Sequence, residues 1–114
     1  MLRIDLKINI NKKLYFKMGK FKKLCNRSYK SIINRGLIDG FTKDEDFYNK
    51  ILEESKEVFE SIMYKDNISK KEEVTDLMDV CINYLIWQGV EPIEELEKCV
   101  IKNENRAKNE IQQK

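Results

Sequence analysis

Two short acidic runs carry the residues best suited to chemistry: Glu53, Glu54 and Glu57 in EESKE, and Glu72, Glu73 and Asp76 in EEVTD. Spacings of three and four bring such side chains to one face of a helix. Two carboxylates about 5 Å apart repel by roughly 3 kcal/mol at an effective dielectric near 20, a large fraction of the stability of a small domain. Carboxylates converging from both runs would therefore require a counter-charge. The chain has no histidine, which removes Ser/His/Asp and Cys/His nucleophilic arrangements and most transition-metal sites. An oxygen-only ligand set selects a hard cation, Mg²⁺, Mn²⁺ or Ca²⁺, and Mg²⁺ on a few carboxylates commonly completes its shell with water and phosphate oxygens. That chemistry points to a phosphorylated substrate. The plain alternative is a solvated face, since the chain holds 20 acidic residues and glutamates at helical spacing usually only meet water.

Further on, Lys98, Lys102, Asn105 and Arg106 follow one another at spacings of four, three and one. Arginine offers a planar, bidentate fork and lysine a mobile point charge, both suited to phosphate oxygens. Basic residues near a helix C-terminus also complement its dipole without any ligand.

These groups depend on helices to position them. Leu14, Phe16, Phe21, Leu24, Tyr29, Ile32 and Ile33 recur at helical spacing between Lys12 and Arg35, Gly36 and Gly40 supply stop signals, and Gly19 is a weak point. Thr42 with Glu45 reads as a capping box opening a second helix to about Tyr64, with Ile51, Leu52, Val58, Phe59 and Ile62 on one stripe. Ser69 with Glu72 repeats the pattern for a third helix, ended by Gly89 and apolar on nearly all sides from Val80 to Trp87, which requires burial between neighbours. Pro92 then opens a last helix on Ile93, Leu96 and Val100. The short connection around Lys65 to Ser69 favours an antiparallel hairpin of the second and third helices. Residues 2–10 alternate Leu2, Ile4, Leu6, Ile8 and Ile10 with polar partners, the period of a half-buried strand or of a frayed extension.

The expected fold is all-α, a four- to five-helix bundle-like subunit forming one domain over residues 1–114, with 1–11 as an N-terminal strand or extension and 109–114 as a polar tail. Apolar residues make up 41% and charged residues 37%, a balance suited to amphipathic helices. With 22 basic and 20 acidic side chains the net charge is +2, so a nucleic-acid role gains little. No long apolar run or signal-peptide core is present, which gives a cytoplasmic, non-membrane expectation. Cys25, Cys81 and Cys99, odd in number and widely spaced, read as reduced thiols, buried where they fall in apolar helical patterns.

The order of EExxE at Glu53, Glu54 and Glu57, ExxD at Glu73 and Asp76, and KNENR from Lys102 to Arg106 resembles the MazG-like all-α nucleoside triphosphate pyrophosphohydrolases. The likeness covers about residues 30–108, including Arg35 and Gly36 before the acidic helix; residues up to about Met18 have no counterpart. It implies Mg²⁺ bound by Glu54, Glu57, Glu73 and Asp76, with Mn²⁺ as a substitute, and Glu53 orienting or deprotonating the attacking water. It further implies Lys98, Lys102, Asn105 and Arg106 on phosphates, assembly as a homodimer or homotetramer, and cleavage of nucleotides between the α and β phosphates.

Two other readings compete. One is a non-catalytic helical protein whose apolar third helix forms a homodimer core. The other is a nucleic-acid binder using Lys12 to Lys30 with Tyr15, Phe16, Phe21 and Tyr29, whose helical spacing reads more easily as core. Asn83, Tyr84 and Trp87 could meet a nucleobase, though aromatics in an apolar helix are more often core.

Overall fold

Helix formation reaches further toward the N-terminus than the periodicity predicts. The computed structural model describes residues 2–64 and 67–112. It contains four helices, α1 (Leu2–Asn34), α2 (Asp44–Met63), α3 (Asn67–Trp87) and α4 (Pro92–Gln112), and no strand among the described residues. The expected N-terminal strand over residues 2–10 is therefore corrected to the first turns of α1. A helix satisfies its backbone N–H and C=O groups along its own axis, whereas a lone strand would need a neighbour that this chain does not supply. Gly19 does not interrupt α1, which runs through it. The side chains of Leu14 and Phe16, expected on the core stripe, lie outside the described residues, as does the connection at 65–66.

Helix ends follow glycine and proline. Gly36 and Gly89 take positive φ of 73° and 84° just past α1 and α3, the left-handed conformation that glycine adopts without steric cost. Pro92 is the first residue of α4, where its missing N–H is harmless. The capping box expected at Thr42 and Glu45 is displaced by one residue: the Lys43 N–H donates to Asp46 Oδ2 at 2.9 Å, and the Thr42 hydroxyl instead accepts from the Asp39 N–H at 2.9 Å. Ser69, expected to cap the third helix, lies inside it because α3 begins at Asn67. Residues 109–112 of the expected polar tail are helical.

α3 is the central helix and packs on α1, α2 and α4, most extensively on α2. Phe47 near the start of α2 meets Tyr84 and Trp87 near the end of α3, with ring centroids 4.9 and 5.2 Å apart. Glu54, two turns further along α2, meets Glu73 and Asp76, earlier in α3. That inverse order makes the pair antiparallel. At its open end the Tyr84 hydroxyl donates to Asp44 Oδ1 at 2.7 Å. Between α1 and α3, Ser28 Oγ donates to Asp79 Oδ1 at 2.5 Å.

The core is thin. Among the described side chains only Cys25 and Phe47 are buried hydrophobics. The Val80–Trp87 stretch, expected to be enclosed, is mostly half-buried, with Cys81 exposed. All three cysteines are free; Cys25 alone is buried, while Cys81 and Cys99 are exposed, which corrects the buried reading for Cys81.

Candidate metal centre

The α2–α3 hairpin aligns the two acidic runs. Glu54 stands on the face of α2 that also buries Phe47 and Ser61, each seven residues away, so this carboxylate must point into the hairpin. It is 7% exposed. Ligand oxygens of Glu54, Glu73 and Asp76 all lie within 4.8 Å of one another, and so do those of Glu53, Glu54 and Glu57. Glu54 belongs to both groups. The structure thus brings together all five residues that the sequence singled out for the centre, while Glu72, the remaining acid of the second run, is exposed and outside both groups.

Two features of the protein itself bear on the charge of this cluster. Lys50 Nζ lies 3.3 Å from both Glu53 Oε1 and Glu54 Oε1, one positive charge against several negative ones. The carboxyls of Glu54, Glu57 and Glu73 crowd one another, and each raises the cost of ionising its neighbour along the series, Glu57 that of Glu54 and Glu73 that of Glu57. Burial, with the neighbouring Glu57, pushes Glu54 above the usual carboxylate range despite Lys50. The contact with Glu73 does the same to Glu57, aided by the charges of Glu73 and Glu53. Even so, Glu54 Oε2 and Glu73 Oε2 are buried without a hydrogen-bond partner. Buried carboxylate oxygens in that condition are costly unless something else binds them. The donors are all hard oxygens, which fits Mg²⁺ or Mn²⁺.

No family model, curated protein or solved structure matches this chain. The functional reading therefore rests on the residues themselves.

The basic group lies apart from the acids within one protomer. α4 packs on α1 and α3 but not on α2, and every residue from Leu96 to Ile111 is exposed. Lys98 is committed to Glu95 at 3.0 Å. Lys102, Asn105 and Arg106 sit further along the exposed helix, and neither Lys102 nor Arg106 forms an ion pair among the described residues. Tyr84 and Trp87 belong to the aromatic cluster with Phe47.

Lys50 and Asp79 escaped the sequence reading. Lys50 precedes Glu53 and Glu54 by three and four residues, the spacing of a helical ion pair. Asp79 extends the Glu73, Asp76 series by one more step of three, a signal that was available.

Proposed function

We propose that this protein is a Mg²⁺-dependent nucleotide pyrophosphohydrolase that cleaves between the α and β phosphates of a nucleoside triphosphate. The observation that carries the reading is the meeting of Glu54, Glu73 and Asp76 within 4.8 Å, with two buried carboxylate oxygens lacking partners. The resemblance of the EExxE and ExxD order to the MazG-like enzymes supplies the reaction class.

Glu54, Glu57, Glu73 and Asp76 would hold the ion, which when bound supplies positive charge against the triphosphate and acidifies nearby water. Glu53, on the exposed rim of the cluster, orients the attacking water and takes its proton. The water oxygen adds to the α phosphorus as the bond to the α–β bridging oxygen breaks; the electron pair leaves on pyrophosphate and the other product is the monophosphate. Lys102 and Arg106, one helical turn apart on α4, would neutralise phosphate charge, with Lys98 and Asn105 beside them; because α4 does not pack on α2 within one protomer, they would do so across a contact between two copies.

A nucleotide panel incubated with Mg²⁺ tests the reading. Pyrophosphate and monophosphate should appear together, and Glu53→Gln should lower kcat by roughly 10² to 10⁴ while retaining stabilisation by Mg²⁺. Release of orthophosphate alone, or no turnover of any nucleotide, would remove the proposal.

The active species is a homo-oligomer. Leu52, Phe59 and Met63 are exposed on the side of α2 opposite Phe47, Glu54 and Ser61, with Tyr48 and Ile62 exposed on its flank, an apolar surface of the kind that a second copy covers in obligate dimers. Replacing both Leu52 and Phe59 by Glu should convert the sedimenting species to monomers. A wild-type protein that sediments as a monomer would contradict this.

A further inference from the structure

The charge of this chain is unevenly divided. Eleven of its 22 basic residues precede Asp39, against Asp5 alone of its 20 acidic ones, so residues 1–38 carry +10 and residues 39–114 carry −8, which together give the net +2. A balanced total thus conceals a strongly basic first helix. On a helical wheel Lys17, Lys20, Lys23, Arg27 and Lys30 of α1 fall within an arc of about 140°. All five are exposed, and none forms an ion pair among the described residues, although the chain holds 20 acidic side chains. The opposite side of α1 carries the packing. Cys25 is buried there, Phe21, Tyr29 and Ile32 are half-buried, and Ser28 bonds to Asp79 of α3. The cations therefore face solvent as one row.

Like charges at spacings of three and four repel one another along a helix, and no packing role offsets that cost at exposed positions. The row has the dimensions of a phosphate backbone. From Lys17 to Lys30 α1 rises about 20 Å, beside which one strand of a duplex presents roughly six phosphates. Two other polyanionic surfaces fit less well. Single strands are held by exposed aromatic platforms, whereas Phe21 and Tyr29 are half-buried on the packed side of α1. A membrane surface takes up a helix whose apolar face is free to insert. Here that face packs on α3, and between Lys17 and Asn34 only Leu24 is a large apolar side chain in the basic arc. The negative remainder of the chain repels a polyanion, which leaves α1 as the side of approach.

We propose that the outer face of α1 binds double-stranded nucleic acid, with Lys17, Lys20, Lys23, Arg27 and Lys30 contacting the phosphates of one strand without reading sequence. The proposal is independent of the hydrolase reading and is tested without turnover. Full-length protein, in EDTA and about 50 mM NaCl, is titrated into fluorescein-labelled DNA and RNA duplexes of about 20 base pairs and two unrelated sequences, and anisotropy is followed. Both duplexes should bind saturably and with little difference between sequences. Their affinity should fall by roughly 10² to 10³-fold between about 50 and 200 mM salt, as five phosphate contacts require. A single strand of the same sequence should bind at least about tenfold more weakly. Lys20→Ala combined with Arg27→Ala should weaken duplex binding by roughly 10²-fold at the lower salt and reduce the salt slope by about two. Lys56→Ala combined with Lys108→Ala removes the same charge from exposed positions on α2 and α4, and should stay within about threefold of wild type. Exposed lysine and arginine truncations of this kind leave the fold intact. No duplex binding at the lower salt, tighter binding of the single strand, equal losses in the two double variants, or capture by phosphatidylserine vesicles without duplex binding would overturn the assignment.

Discussion

Glu54→Gln abolishes the rise in melting temperature that Mg²⁺ produces in the wild type, and at neutral pH it makes the metal-free protein more stable. Both outcomes come from one carboxylate. A ligand at a hundredfold excess over its Kd stabilises the state it binds by about 2.7 kcal/mol, which for a domain of this size is roughly 10 °C. Glu54 is the member common to both carboxylate groups, so its loss should remove most of that increment. Without metal the same residue is a burden, because burial and Glu57 raise its pKa against the opposing pull of Lys50.

The sign of the pH dependence follows. A carboxyl whose folded pKa exceeds its unfolded one binds more protons when folded, so its contribution is favourable at low pH and is lost as pH rises from the ordinary value toward the raised one. With Glu54 and Glu57 both raised from 4.5, their contribution to metal-free stability should fall as pH climbs above about 4.5 toward neutrality. Mg²⁺ should flatten or reverse that slope and release protons on binding. Melting curves across this range, with EDTA and with Mg²⁺, for wild type and variant, check all of it. An equal Mg²⁺ response in Glu54→Gln would show that the carboxylates are a solvated face.

The parts of this arrangement that were legible in the sequence are those governed by local rules. Gly36, Gly89 and Pro92 announce helix ends because φ and the missing N–H are properties of single residues. The acidic spacing announces shared faces because helical geometry is periodic. Convergence of Glu54 with Glu73 and Asp76 was an inference from a short connection, and it depended on the hairpin's register, which the Phe47, Tyr84 and Trp87 contact provides and no local signal encodes. The N-terminal segment misled because alternation of Leu2, Ile4, Leu6, Ile8 and Ile10 describes side-chain pattern alone, while the outcome turned on where the backbone hydrogen bonds could go. Asn83 was visible as an amide next to Tyr84, but its hydrogen bond to Ser28 on α1 reaches 55 residues away in sequence, a distance at which periodicity carries no information. The separation of α4 from α2 was equally illegible, because helical spacing along α4 says nothing about the angle at which it leaves the hairpin.

Phe47→Ala should be the most destabilising single truncation in the protein, by about 3 to 5 kcal/mol, the range for buried aromatic rings. Phe47 is one of two buried hydrophobics and the only buried aromatic among the described side chains, and it contacts both Tyr84 and Trp87. Against a total stability of the order of 5 to 15 kcal/mol, that loss leaves little margin, because the thin core offers no neighbouring bulk to collapse into the space. The urea midpoint should fall steeply with little change in slope, whereas Phe41→Ala, whose side chain is 87% exposed, should stay within roughly 0.5 kcal/mol of wild type. The consequence reaches the acidic cluster. Phe47 closes the open end of the hairpin and so holds Glu54 level with Glu73 and Asp76; losing the ring should weaken Mg²⁺ binding as well as the fold, although no metal ligand has changed. A Phe47→Ala protein with near wild-type stability would mean that the hairpin is held from elsewhere, with an oligomeric contact along α2 as the first place to look.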